Sequence, residues 1–385
     1  MVENKIMSKD KIWLSSPHMG GHEQKFIQEA FDENWVAPLG PNVNGFEKDL
    51  QNYLGEEKHI AALSAGTAAI HLALIMLGVK QNDFVICQSM TFSASANPIL
   101  YQGANPVFVD SESDTWNLCP TQLNNAIEGT IKKHGVKPKA IIGVHLYGMP
   151  YLADEINAIA KKYDIPVIED AAEALGSNFE NQNCGTLGQY GILSFNGNKI
   201  ITTSGGGALV CNTEKEKQRA VFFATQSRDQ APHYQHSEVG YNYRMSNITA
   251  GIGRGQMMVL DSHVQARRKN YEFYKENLGH LPGFEFIDEP KGIYSNRWLS
   301  TVLIHPEKAG FTREDLRLSL EKENIETRPL WKPMHMQPLF ENCDYYGEKV
   351  AENLFNVGLC LPSGSNLTDQ DRERILNGIL KIAKK

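Results

Sequence analysis

The sequence predicts an α/β fold built on a mostly parallel sheet, followed by a smaller α+β region. Two observations carry this reading. Up to about residue 215, short apolar runs alternate with amphipathic stretches, and those runs are apolar throughout instead of alternating with polar residues. Strands covered by helices on both faces have that pattern. Beyond residue 245 the alternation gives way to a long helical pattern and then to mixed elements.

Taken in order, residues 1–20 form an arm, and its polar start, Met1–Lys9, lacks the apolar core of a signal segment. Phe26, Ile27, Ala30 and Phe31 recur at helical spacing, which predicts a helix from His22 to Asn34. Seven strands follow at Ile60–Leu63, Asp83–Cys87, Pro106–Val109, Ala140–Val144, Pro166–Ile168, Gly191–Phe195 and Gly207–Val210. Between them lie helices such as Ala68–Leu77 and Tyr151–Tyr163. A helix ending near Glu276 is expected to carry Met257, Met258, Leu260 and Val264 on one face. Strands near Phe284–Ile287 and Trp298–Ile304 belong to the smaller region. The expected division is a large domain over 1–260, arm included, and a small C-terminal domain over 261–385.

A chain of 385 residues can bury a large core. Net charge is −7 and no Lys/Arg block appears, which argues against nucleic acid and anionic membrane as partners. The six cysteines are scattered without a C-x-x-C pair, so neither a zinc site nor a disulfide framework is expected, and a reducing cytoplasm fits. No apolar run is long enough to span a bilayer.

In open α/β sheets chemistry gathers at the carboxyl ends of strands, and the informative motifs lie there. Lys199 sits among small and polar residues in Ser194-Phe195-Asn196-Gly197-Asn198-Lys199, shortly before Gly205-Gly206-Gly207. Such an amine suits condensation with an aldehyde as a Schiff base; the alternative is a lysine reaching to water from a strand end. Val167-Ile168-Glu169-Asp170 delivers a carboxylate at a strand end, suited either to a pyridinium nitrogen or to capping a helix. Ser64-Ala65-Gly66-Thr67 turns a strand into a helix, either as a phosphate site or as a plain turn, and Ser194 stands ready to add a hydroxyl.

Phe92 suits stacking on a planar ring or packing in the core. Gly240-Tyr241-Asn242-Tyr243-Arg244 suits an anion site or a turn with a helix cap. Arg328-Pro329-Leu330-Trp331-Lys332-Pro333-Met334-His335 mixes charge and flat surface as diphosphate and base recognition require, although ordinary loop packing competes. His71 reads as structural. Gly251-Ile252-Gly253-Arg254-Gly255-Gln256 fails the spacing of a dinucleotide loop and lies in a helical stretch.

Together these motifs resemble the DegT-type family of pyridoxal-phosphate sugar aminotransferases, on the fold-type I aspartate aminotransferase scaffold. The resemblance extends from about Trp13 to Asn366, and Asn34-Trp35-Val36-Ala37-Pro38-Leu39-Gly40, His233-Tyr234-Gln235-His236 and the Arg328 motif are similar to its bacillosamine branch. It implies a large domain with a mostly parallel seven-stranded sheet between helices, pyridoxal 5′-phosphate as cofactor, and no metal. It further implies a homodimer with shared active sites. Lys199 then becomes the lysine bound to the cofactor and Asp170 the partner of its ring nitrogen. Phe92 stacks on the ring, Gly66, Thr67 and Ser194 take the phosphate, and Asn242 reaches the other subunit's cofactor. Glu173 falls where relatives often carry Gln or His near the phenolic oxygen, and its part stays open.

Arg328, Trp331, Lys332 and His335, with His233 and His236, are the expected sugar-nucleotide contacts. Relatives that act as dehydratases carry His in place of the lysine, so Lys199 favours transamination. The implied reaction moves the amino group of L-glutamate to UDP-4-keto-6-deoxy-N-acetylglucosamine for surface-glycan or exopolysaccharide synthesis. A dTDP-linked or 3-keto acceptor is the close alternative, and a non-catalytic binding protein the distant one.

Overall fold

The computed structural model describes residues 10–383, so the polar start Met1–Lys9 lies outside the described residues. The seven expected strands form, each within a residue or two of its expected bounds: β1 (His59–Leu63), β2 (Phe84–Gln88), β3 (Asn105–Val109), β4 (Ala140–Val144), β5 (Val167–Asp170), β6 (Tyr190–Ser194) and β7 (Gly207–Cys211). Ahead of the sheet stand α1 (Glu23–Asp32) and α2 (Pro41–Leu54). The crossovers are α3 (Gly66–Met76), α4 (Ser93–Tyr101), α5 (Pro120–His134) and α6 (Ala153–Tyr163), and α7 (Glu214–Ala224) follows β7.

Across the sheet the order is β1-β7-β6-β5-β4-β2-β3, with β7 antiparallel to both neighbours. An eighth strand, Asp344–Tyr346, adds parallel to β3. Three polar and aromatic residues carry no strand pattern of their own; pairing with a distant edge makes them one. The apolar runs are explained by cover on both faces. Val85 and Cys87 of β2 pack with Leu72 and Leu74 of α3, while Ile86 between them packs with Ile127 of α5 and Ile156 of α6.

The helical stretch past residue 245 is two helices, α8 (Asn247–Met257) and α9 (Leu260–Leu278), because Val259 (φ −118°, ψ 4°) leaves helical geometry between them. Met258 is consequently 61% exposed and does not share the buried face of Leu260 and Val264. The Gly251–Gly255 run lies in α8. A Cβ at Gly255 would stand 2.7 Å from Glu23 Cα, and one at Gly253 would stand 2.7 Å from the Phe46 ring. These glycines let α8 lie against α1 and α2. Helix α9 spans two cores, with Val264 in that of the large sheet and Tyr271, Tyr274 and Leu278 in the C-terminal one.

A second sheet is antiparallel, in the order Phe284–Glu285, Ser300–Ile304, Gly358–Leu361, Arg328–Pro329. The arm lies along it: Ile12 N–H donates to the Asn324 carbonyl at 3.0 Å, Glu326 N–H to the Ile12 carbonyl at 2.8 Å, and Ser363 N–H to the Leu14 carbonyl at 2.7 Å. No helix among the described residues is long and apolar enough to cross a membrane.

Candidate active site

Strands β1, β2, β4, β5 and β6 run in one direction, so their carboxyl ends share one edge. The register sets Leu63, Gly207 and Ser194 in a row at that edge. A Cβ at Gly207 would stand 2.3 Å from Ala65 C and 2.3 Å from Gly66 N, so the backbones approach too closely for any other residue there. That accounts for the last glycine of the Gly205–Gly207 run. The free amides at the start of α3 therefore open beside the Ser194 side chain, with a Cβ at Gly66 3.1 Å from Ser194 Cβ. Backbone N–H groups at a helix N-terminus next to a hydroxyl form a cradle for a phosphate.

A cavity of about 630 Å³ brings together Gly66, Thr67, Phe92, Asp170, Glu173, Ser194, Lys199, Arg328 and Trp331. Asp170, at the end of β5, is 4% exposed and caps no α-helix; a turn follows it. Its Oδ2 accepts a hydrogen bond from Ser95 Oγ at 2.7 Å, Ser95 Oγ lies 2.7 Å from Thr91 Oγ1, and Oδ1 accepts from Ala172 N–H at 3.2 Å. The carboxylate is thereby aimed by three neighbours, two of them on or just before α4.

Lys199 does not reach to water, since its side chain is only 12% exposed. Its Nζ lies 3.4 Å from Glu173 Oε1 and 4.3 Å from the centroid of the Trp298 ring. Glu173 Oε2 accepts from the N–H of Tyr147 at 2.7 Å. Tyr147 holds a left-handed backbone (φ 55°), which a non-glycine residue adopts at a cost and which turns this N–H towards the carboxylate. Burial pushes the Glu173 carboxyl up to about 7; the Lys199 charge and the Tyr147 N–H oppose that shift without cancelling it.

A pH dependence follows. Between about pH 4.5, the ordinary value, and about 7, the folded chain binds more protons at Glu173 than the unfolded chain does. The stability contribution of the protonated acid is therefore complete below that window and lost above it. Glu173→Gln should gain stability relative to the unaltered protein as pH rises through the window, read from urea unfolding of the cofactor-free protein. Parallel stability curves for the two proteins would show that Glu173 does not titrate this way.

Phe92 is 57% exposed at the mouth of the cavity, with its ring centroid 5.5 Å from that of Trp331, so the core-packing reading fails. Trp331 donates its N–H to the Tyr147 hydroxyl at 2.9 Å. Arg328 is exposed at the rim, paired with Glu326 at 2.8 Å. The other expected contacts are not among the lining residues. His335 turns away from the cavity: its Nδ1 is 2.6 Å from Ser89 Oγ and its ring stacks on Tyr345 at 3.8 Å, which anchors the loop. Lys332 sits beside it, its carbonyl accepting from Gln337 Nε2 at 3.2 Å. His233 and His236 lie on an exposed loop, where His236 Nδ1 bonds the Gln226 carbonyl at 2.8 Å. Asn242 is exposed and pairs through its backbone with Thr225, outside this cavity. His71 is packed among Tyr101, Tyr241 and Tyr243, in keeping with a structural role.

Several lining residues had no sequence signal. Trp13 and Ser15 come from the arm and Trp298 from the segment ahead of Ser300–Ile304. Ser95 stands one helical turn beyond Thr91, a spacing that carries no signal of its own.

Below the cavity floor, His145, Glu169 and Cys184 place ligand-type atoms within 4.8 Å of one another. The Glu169 carboxylate is already saturated. It bonds His145 Nε2 at 2.7 Å and accepts from the N–H groups of Gly185, Leu187 and Gly188. His145 Nδ1 accepts from Tyr151 N–H at 3.1 Å. Both partners are thus committed to holding the turn after β5, and no lone pair stays open for a metal.

Comparison with known proteins matches residues 17–380 to the DegT/DnrJ/EryC1/StrS aminotransferase family. EpsN of Bacillus subtilis (strain 168), provisionally named a pyridoxal phosphate-dependent aminotransferase, is 52% identical over 97% of this chain and 96% of its own length. The GDP-perosamine synthase of Escherichia coli O157:H7 is 36% identical over 93% of this chain and 95% of its own. A DegT DnrJ EryC1 StrS aminotransferase from Brucella abortus superposes with a TM-score of 0.87 at 29% identity, covering 94% of this chain and 96% of that one.

Proposed function

This chain belongs to the DegT/DnrJ/EryC1/StrS aminotransferase family, and on that premise we propose that it transfers the amino group of L-glutamate to C4 of UDP-4-keto-6-deoxy-N-acetylglucosamine. It is a pyridoxal 5′-phosphate-dependent sugar aminotransferase. The observation that carries the transfer chemistry is a half-buried amine, Lys199, sharing one cavity with a buried carboxylate, Asp170.

The site fits the cofactor. Gly66, Thr67 and Ser194 would take its phosphate, Asp170 its ring nitrogen, Phe92 its face, and Lys199 its aldehyde carbon. When bound, it supplies an electron sink for the carbanion formed at the reacting carbon. Asp170, oriented by Ser95 and Ala172, would keep the ring nitrogen protonated. Lys199 Nζ takes the proton from the α-carbon of glutamate and later delivers one to C4 of the sugar. Glu173, 3.4 Å away, steadies that amine between the two steps. Trp331 and Arg328 at the mouth receive the nucleotide end, and Asn242 of a second copy completes the cofactor site of a homodimer. The domain division at residue 260 and a cytoplasmic location belong to the same reading.

A GDP-linked keto sugar is the second acceptor to test, since a GDP-perosamine synthase is 36% identical across nearly the whole length. The experiment is a visible spectrum of the cofactor-loaded protein before and after L-glutamate, then with each keto sugar. The expected result is that glutamate bleaches the band and UDP-4-keto-6-deoxy-N-acetylglucosamine restores it. Restoration by the GDP-linked sugar alone would replace the acceptor, and no bleaching by glutamate would remove the donor.

A further inference from the structure

We propose that Trp298 is a positioning residue that presents the Lys199 amine, its ring supporting the amine and its indole N–H fixing the carbonyl one residue earlier. The inference rests on the reading of Lys199 as the cofactor-binding lysine. Trp298 is 2% exposed and contributes to the cavity wall. Its ring centroid lies 4.3 Å from Lys199 Nζ, within range for a cation held over an indole face. Its Nε1–H donates to the Asn198 carbonyl at 2.7 Å, which also accepts from Ser15 Oγ at 2.7 Å.

The next carbonyl, that of Lys199 itself, accepts from Arg267 Nη2 at 3.4 Å, and Arg267 Nη1 donates to the Trp298 carbonyl at 2.6 Å. Trp298 is fixed in turn, because its N–H donates to Asn296 Oδ1 at 2.9 Å while Asn296 Nδ2 donates to the Glu173 carbonyl at 2.8 Å. Asn296 thereby ties the two groups that flank the Lys199 amine, the indole and the carboxylate. A lysine has a flexible four-carbon stem. Without such a rest its amine would sample positions away from the reacting carbon, and small misplacements of a reacting group cost rate steeply.

The test uses the cofactor-free full chain carrying no substitution, Trp298→Phe or Trp298→Leu. Phe keeps a ring face and loses the N–H donor; Leu loses both. The first readout is the rate at which Lys199 condenses with added pyridoxal 5′-phosphate. In that step the amine nitrogen forms the C=N bond and the aldehyde oxygen leaves as water, which a visible band follows. The second readout is equilibrium binding of pyridoxamine 5′-phosphate, which has no aldehyde and asks nothing of the lysine. We expect Trp298→Phe to slow condensation about tenfold and Trp298→Leu about a hundredfold. Affinity for pyridoxamine 5′-phosphate should stay within about twofold, since the phosphate and ring contacts are untouched.

Unchanged condensation in both variants would overturn the proposal. So would pyridoxamine affinity falling in step with the rate, because that marks general loss of packing. If Trp298→Leu does not fold, the Phe variant alone decides. If the unsubstituted protein forms no band, the reading of Lys199 fails and this inference with it, an outcome distinct from the other two.

Discussion

Lys199→Ala is expected to abolish transamination, lowering kcat by at least about ten-thousand-fold. Apart from Arg328 at the exposed rim, the amine is the one basic side chain among the described residues that lines the cavity, and it shares it with two buried carboxylates, Asp170 and Glu173. The loss should be chemical and not a failure to fold. Removing the ammonium leaves Glu173 without its cation, but burial already drives that carboxyl towards its neutral form, so no unpaired buried charge is stranded. The Asn198 carbonyl keeps both of its donors, Ser15 and Trp298. Steady-state turnover with L-glutamate and the keto sugar, together with a melting curve, checks both halves. Residual turnover above about one per cent of the unsubstituted protein would take Lys199 out of the proton-transfer role, given what a positioned base contributes.

Asp170→Ala should cost about a thousandfold in kcat, the scale seen when a preorganised electrostatic partner of developing charge is removed. The side chain is held by Ser95 Oγ and Ala172 N–H, so its position is fixed before anything binds. Asp170→Asn separates charge from shape. An amide oxygen still accepts from Ser95, yet a neutral amide does not stabilise a protonated ring nitrogen. Both substitutions should therefore lose activity to a similar degree, with the Asn protein melting close to the unsubstituted one. A fully active Asp170→Ala protein would end this assignment, and an active Asp170→Asn protein would show that shape suffices.

The strands and the chemistry at their ends were legible because both are short-range. An apolar run such as Ala140–Val144 states its burial within five residues. The turn Ala65-Gly66-Thr67 and the glycines after Lys199 state a close backbone approach just as locally. That Lys332, His335, His233 and His236 lie outside the lining of this cavity was not legible, because residue type alone does not say which way a loop faces. His335 had the chemistry of a diphosphate ligand, but Ser89 and Tyr345, some 250 positions away and ten positions away respectively, turn it into a loop anchor.

By itself the sequence determined the seven apolar strands and the motifs at their ends, since apolar periodicity and turn residues act over a few positions. The tertiary structure alone decided how Lys199 is held. Asp170 meets Ser95 across 75 positions, and the carbonyl before Lys199 meets Ser15 across 183 and Trp298 across 100. Hydrogen bonds between such distant groups form only once the sheet has brought their strand ends together, and they leave no periodic trace in the chain.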